Sequence, residues 1–418
     1  MFEGRRKYFY VGLFLCFIVA ICVILNNRKS PIEETVVANS ALPKIYLTLN
    51  NTSLEEIDNG DKSTVYENNS VIVESDGEFY DFSEVEIKAR GNGTRTVEKR
   101  PYQIKFNEKT DIFGLGLTKK YVLLACAFDP SFLRNDVANW LAEEVGEDFP
   151  MRGNFVEFYV DTEYIGLYYI STKAEINSNS VALSDQNGVL MELDNVYHEF
   201  EEQSLVFQTE TFGDYFVMID SVNESEEEAQ NAKNNFQESY NLFERAVNER
   251  DFEKVSELID VDSFAEYFLV SELSLNHDAY VTSFRFYKDG EDDKIHAGPT
   301  WDFDRAFWME TDIKFYLRED EKESEIIYKM FEMPEFEKRV AEIFQDRLAG
   351  REDELIDYVE KLAAKIRKAT IHNNQKWEAD DFDESVENLK NWILERFKFM
   401  EEEYNFTPYD YLVTKVLV

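Results

Sequence analysis

The sequence predicts an α+β fold of two lobes, strand-rich over residues 43–195 and mainly helical over 196–418, preceded by one membrane segment. Three observations predict it. Between Lys44 and Phe106 apolar and polar residues alternate, a period of two that turns one face of each strand inward. From about residue 226 the apolar spacing lengthens to the three-and-four rhythm of amphipathic helices. Finally, 418 residues at 44% hydrophobic content, with 34 Phe and 23 Tyr, can fill two cores rather than one.

The elements follow in order. Tyr8 to Leu25 is an 18-residue run without charge, flanked by Arg5-Arg6-Lys7 and Arg28-Lys29, which suits a bilayer span. No small-x-small cleavage site follows it closely, so residues 1–29 read as a signal anchor with the globular part extracytoplasmic. The expected location is therefore the cell membrane, in single-pass form, with contact through residues 8–25. Residues 30–42 lack periodicity and read as a linker.

Four strands are expected around Ile45–Leu49, Val71–Val73, Val85–Ala89 and Tyr102–Phe106, making a mainly antiparallel lobe. Asp129-Pro130 reads as a helix cap and first helical residue, with Leu133, Val137, Trp140, Leu141 and Val145 on one face and Gly146 as the stop. A hairpin (Phe155–Val160 and Ile165–Ile170) and a strand at 188–193 come next. Helices follow through Phe236, Tyr240, Phe243 and Val247, then from a cap at Asp262 through Phe268 and Leu273. A hairpin at 276–304 interrupts them, and three helices (335–348, 352–366 and 385–403) close the chain.

Charge and cysteine content narrow the function. Residues 1–29 hold five Lys/Arg against one acid, so with a whole-chain charge of −41 the remainder carries −45. Such a body will not bind nucleic acid by charge and favours basic protein partners. Of Cys16, Cys22 and Cys126, one lies outside the apolar N-terminal run, which excludes an intramolecular disulfide in the globular part.

The residues that carry chemistry flank the 276–304 hairpin. Asn276-His277-Asp278 follows a helix, two strand-like runs come next (Val281–Tyr287 and Lys294–Ala297), and Trp301-Asp302-Phe303-Asp304 closes the unit. Protein kinases order their catalytic and metal-binding acids in this way. Phosphoryl transfer needs one carboxylate to orient the attacking hydroxyl and another to hold a divalent cation on the phosphates. Asp278 suits the first task, and Asp302 with Asp304 the second. On the nucleotide side, Lys105 in Tyr-Gln-Ile-Lys-Phe is the leading cation, with Lys99, Arg100 and Arg90 as substitutes and Glu143, Glu144 or Glu175 as its acidic partner. Arg90-Gly91-Asn92-Gly93-Thr94-Arg95 offers backbone N–H groups and arginines to phosphate, which brings Arg90 and Asn92 into the set. Glu192, on the 188–193 strand, completes the cofactor-binding candidates. Each has a plainer reading as a turn acid, a solvated strand lysine or a turn glycine neighbour.

As an ordered set the motifs resemble the CotH family of atypical kinases, named from a spore-coat protein. The resemblance rests on Arg90-Gly91-Asn92-Gly93-Thr94, Arg100-Pro101-Tyr102, Phe128-Asp129-Pro130-Ser131 with Arg134-Asn135, Tyr164-Ile165-Gly166-Leu167-Tyr168, Glu272 with Asn276-His277-Asp278, and Gly298-Pro299-Thr300-Trp301-Asp302-Phe303-Asp304. It implies a divergent protein-kinase-like fold, ATP with Mg or Mn as cofactors, and phosphorylation of Ser/Thr in secreted or surface proteins, with Asp278 catalytic and Asp302 a metal ligand. The chain departs from the family at Thr172, where a Glu is common, and at Trp308, which is bulky. Ser283 stands where ordinary kinases carry a metal-binding Asn. The alternative function is a non-catalytic surface binding protein or adhesin on the same fold. A glycoside hydrolase using Asp278 and Asp302 as its acid pair ranks below both.

Overall fold

The structure is a computed structural model and describes residues 41–91, 93–195, 205–223, 225–276, 278–314, 316 and 325–404. Seven strands form a closed barrel: β1 (Lys44–Thr48), β2 (Tyr66–Ser75), β3 (Glu78–Ala89), β4 (Tyr102–Thr110), β5 (Thr118–Leu124), β6 (Gly153–Val160) and β7 (Glu163–Thr172). Their order around the barrel is β1-β2-β3-β4-β5-β7-β6. A parallel pairing of β1 with β6, which sets Ile45 opposite Phe158, closes the ring and leaves no free edge. The alternation seen in the sequence fills the interior: Ile45, Leu47, Val71, Val85, Ile104, Phe106, Tyr121, Phe158 and Tyr168 all lie in one buried cluster. Ile57 of the short helix α1 (Leu54–Asn59) joins them.

Helix α2 (Arg134–Val145) leaves β5 and packs Val137, Leu141 and Val145 into a second, larger core. That core takes Phe155, Leu167 and Tyr169 from the outside of the barrel, so α2 lies between the barrel and the rest of the chain. The rest is built on a five-stranded sheet ordered β12-β11-β8-β10-β9, from β8 (Val189–Leu193), β9 (Val206–Gln208), β10 (Tyr215–Ser221), β11 (Phe284–Lys288) and β12 (His296–Ala297). Around it stand α3 (Glu226–Glu249), α4 (Phe252–Leu258), α5 (Val261–Ser274), α6 (Ile326–Met330), α7 (Pro334–Arg347), α8 (Glu352–Trp377) and α9 (Phe382–Tyr404). Helix α5 is buried on every side from Ser263 to Ser274, as a central helix must be.

These observations correct the expected fold class. The α+β, bilobal kinase-like fold with a strand-rich N-lobe, a helical C-lobe and an N-terminal transmembrane segment gives way to a closed seven-stranded barrel joined to helices that carry their own five-stranded sheet. Alternation specifies which face of a strand is buried but not whether the sheet closes, and the closing pair joins segments more than 100 residues apart. The expected membrane segment, residues 8–25, lies outside the described residues. Among the described residues no helix is long and apolar enough to cross a membrane, so the single-pass membrane assignment, and the extracytoplasmic placement drawn from it, are not supported.

Local boundaries also shift. Asp129 does not cap a helix at Pro130. Its carboxylate accepts from the backbone N–H groups of Ser131 (3.0 Å) and Arg134 (2.9 Å), which makes a turn, and α2 begins four residues later than the Asp-Pro signal implies. Asp260, not Asp262, caps α5 by accepting from Ser263 N at 2.8 Å.

Candidate functional site

The 276–304 unit joins the end of α5 to a short antiparallel strand pair, β11 and β12, whose strands are shorter than the runs Val281–Tyr287 and Lys294–Ala297. Helix α5 ends at Ser274, Leu275 turns the chain with a left-handed φ of 44°, and Asp278 opens a turn whose carbonyl accepts from Thr282 N at 3.0 Å. Strands β11 and β12 then pair antiparallel, with Phe286 opposite Ala297. The chain returns to place Asp302 and Asp304 beside Asp278. Asn276 bridges the two arms, since its Nδ2 donates to Asp302 O at 3.2 Å and its Oδ1 accepts from Asp278 N at 3.3 Å. Phe307 N donates to Ser274 O at 2.7 Å and ties the arms again.

Asp278, Asp302, Asp304, Glu192 and Arg90 all line one cleft of about 870 Å³ between the mouth of the barrel and the second sheet. Gly91 and Gly93 line it too, whereas Asn92 lies outside the described residues. Gly91 has a φ of +85°, and a Cβ there would meet Thr94 Oγ1 at 2.0 Å, so this turn requires glycine. Lys105 is not among the lining residues. It is ion-paired with Glu86 at 2.9 Å on the outer face of the barrel, further along β4 than Gln103, which does reach the cleft. Of its three candidate acids, Glu144 pairs with Arg351, Glu143 lies 4.0 Å from Arg152, and Glu175 takes Lys120 at 2.5 Å and Lys173 at 3.7 Å.

The structure adds residues that sequence reasoning passed over. Lys173, just past β7, lines the cleft and is held below the usual lysine range, chiefly by burial. Arg285 of β11 is buried opposite Glu192 of β8, donates to it from Nε at 3.0 Å, and stacks its guanidinium 3.8 Å from the Trp301 ring centroid. Arg90 covers the same ring at 5.4 Å. Thr282 Oγ1 donates to Asp194 at 3.1 Å on the cleft wall. Strand register pairs Arg285 with Glu192 across 93 residues, a relation no local pattern signals.

The acids differ in their surroundings. Burial, then the neighbouring Asp304 and Asp278 carboxylates, push the Asp302 carboxyl up to about 7, against the pull of Arg90. Burial raises Asp304 as well, opposed by the Asn135 amide. Ser283 Oγ lies 3.4 Å from Asp302 Oδ2, so a hydroxyl occupies the place expected of an amide. Asp278 has Arg305 Nη1 at 3.7 Å.

Among the described residues no group of three or more His, Cys, Asp or Glu is arranged to hold a metal ion. Asp302 and Asp304 nevertheless suit a hard cation that is completed by phosphate oxygens and water, since Mg is commonly bound through one or two carboxylates. Buried carboxylates that repel one another gain from such a charge. Acids from the 276–304 unit, facing cations beside the barrel strands (Arg90, Lys173) and at the start of α2 (Arg134), give the cleft the means to hold a polyanion together with a divalent ion.

A family model described as CotH kinase protein matches residues 87–400, and the chain belongs to that family. No curated protein matches the chain.

Proposed function

We propose that this CotH-family protein is an atypical protein kinase that transfers the γ-phosphoryl group of ATP to a Ser or Thr hydroxyl. The observation that carries the reading is the meeting, in one cleft, of Asp278 and Asp302 with a set of cations. Asp278 orients the hydroxyl and accepts its proton. Asp302, with Asp304, holds Mg or Mn, which would offset charge on the phosphates when bound. Arg90 contacts the phosphates beside the Gly91–Gly93 turn, and Lys173 takes the place first given to Lys105. Arg285 orients Glu192 from behind. The excess of acids over Lys/Arg, 85 against 44, favours substrates in which basic residues surround the Ser or Thr.

Thermal unfolding of the full chain with ATP plus Mg or Mn tests the binding half. Ligand at 100 times its Kd stabilises the native state by about 2.7 kcal/mol, a shift that Asp302→Ala should abolish. Asp278→Ala should keep that shift while cutting radiolabel transfer roughly 10²- to 10⁴-fold. Undiminished transfer in both variants would sink the site assignment. No shift with any nucleotide would favour the binding-protein alternative.

A further inference from the structure

We infer that Asn135 and Glu147, at the two ends of helix α2, are positioning residues that fix Asp302 in its working geometry. The inference rests on the kinase reading for its functional half. Segment 300–304 is gripped on both sides of Asp302. At the start of α2, Asn135 Oδ1 accepts from Phe303 N at 3.1 Å, and its Nδ2 donates to Asp304 Oδ1 at 2.6 Å. Arg134 Nη1 adds a bond to Asp304 O at 3.0 Å. Just past the other end of the helix, Glu147 Oε2 accepts from both Thr300 N (3.1 Å) and Thr300 Oγ1 (3.2 Å). Between these grips Asp302 has a φ of +66°, a left-handed conformation that an L residue other than glycine keeps only when its surroundings enforce it.

The chemistry of the two side chains fits this task. An amide offers an acceptor and a donor at once, which is what consecutive backbone and carboxylate partners demand; a carboxylate in its place could only accept. Glu147 is buried, and among the described residues its Oε1 has no hydrogen-bond partner and its Oε2 bonds Thr300. Burying an acid in that way is costly, and the cost is offset by its two bonds to Thr300, whose N–H and hydroxyl an apolar side chain would leave without this acceptor. Helix α2 is itself fixed from other directions: Asn139 Nδ2 donates to Tyr169 OH of β7 at 2.9 Å, and Tyr358 of α8 donates to Asp136. A rigid rod fixed to barrel and helices therefore sets the position of the acid loop. Among the described residues the acids of α2 pair with Arg351, Arg152 and Tyr358 rather than with a strand lysine, and its contact with the loop is made by Asn135.

The test uses the full chain as wild type, Asn135→Ala, Glu147→Ala and Glu147→Gln, the last keeping an oxygen that can accept from Thr300. Amide hydrogen exchange of peptide 298–308 is read by mass spectrometry, alongside Tm and the kcat and KM for ATP with Mn. In both Ala variants exchange of that peptide should rise about tenfold, as expected for one net hydrogen bond lost. Their kcat should fall on the order of 100-fold, because small misplacements of a reacting group cost that much, with KM changed far less. Glu147→Gln should restore both readings to near wild type. Unchanged exchange at 298–308 in both Ala variants, with only a lower Tm, would overturn the inference. The wild-type control separates the two ideas: absence of transfer by the wild type defeats the kinase reading, while exchange in the variants decides whether α2 holds the loop.

Discussion

The segments that carry the acids of the cleft, 274–278 and 300–304, are held in contrasting ways. The first is built mainly from near neighbours: Leu275 N donates to Glu272 O at 3.2 Å, Asn276 N to Ser271 O at 3.0 Å, and Ala279 N to Asn276 O at 3.2 Å. Its longer-range support comes from Asn276 and Ser274, bonded to Asp302 O and Phe307 N, and from a buried ion pair beneath it, Arg396 of α9 to Glu272 of α5 at 3.2 Å, with Arg396 Nε also donating to Glu272 O at 2.9 Å. The second segment takes most of its bonds from Arg134, Asn135 and Glu147, more than 150 residues away, beside those from Asn276 and Ser283 to Asp302. A helix terminus followed by a turn makes an acid's position a local matter, whereas an acid on an irregular segment must borrow rigidity from a distant element.

The largest expected effect sharpens the first half of that contrast. Arg396→Leu leaves the Glu272 carboxylate buried without its counter-charge and should cost about 3–5 kcal/mol in urea unfolding, with much of the loss recovered in the Arg396→Leu, Glu272→Leu double variant. A loss under about 1 kcal/mol would mean that the ion pair does little to hold the Asp278 segment.

Glu244 of α3 extends the second half, for it too is a buried acid that receives loop N–H groups, from Thr211 at 3.2 Å and Phe212 at 3.4 Å. Burial pushes its carboxyl up to about 7, against the Thr209 hydrogen bond. Because the folded value lies above the unfolded one, the stabilisation is complete below about pH 4.5 and is lost as pH rises through about 7, to an extent of about 1–3 kcal/mol. Tm should therefore fall between pH 5 and pH 8, and Glu244→Gln should fall less; equal slopes would show that Glu244 is not protonated in the fold.

Arg90→Ala and Lys105→Ala give the smaller effects. On the proposed kinase reading, loss of a charge-assisted phosphate contact at Arg90 should weaken ATP binding by about 10- to 100-fold. Lys105→Ala removes a partly exposed pair with Glu86, worth at most about 1 kcal/mol, and should leave the nucleotide shift intact. Calorimetric titration with ATP and Mn checks both, and an equal loss in the two variants would return Lys105 to the site.

Lys105 also shows how far the sequence could be read. Parity was enough to put Lys105 on the outward face of β4 with Gln103. Which outward position borders the cleft depends on where the barrel mouth meets the second sheet, and that is set by pairings such as Leu193 with Phe284, which no window of sequence contains. Glu192 and Arg90 did fall in the cleft, each adjoining a turn or strand end that the sequence marked. Lys173 and Arg285 escaped notice because a basic residue in or beside a strand looks the same whether it faces solvent or a site.

By itself the sequence determined the alternating strands between Lys44 and Phe106, the apolar face of α2, the hairpin between Asp278 and Asp302, and family membership through ordered short motifs. These are properties of period, turn chemistry and short spacing, all written within a few residues. The tertiary structure alone decided that the strands close into a barrel, that Arg90 and Lys173 rather than Lys105 face the acids, and that α2 grips the loop bearing Asp302. Each depends on partners tens to more than a hundred residues apart, brought together by burial of two cores, and burial is indifferent to which polar groups it leaves facing one another.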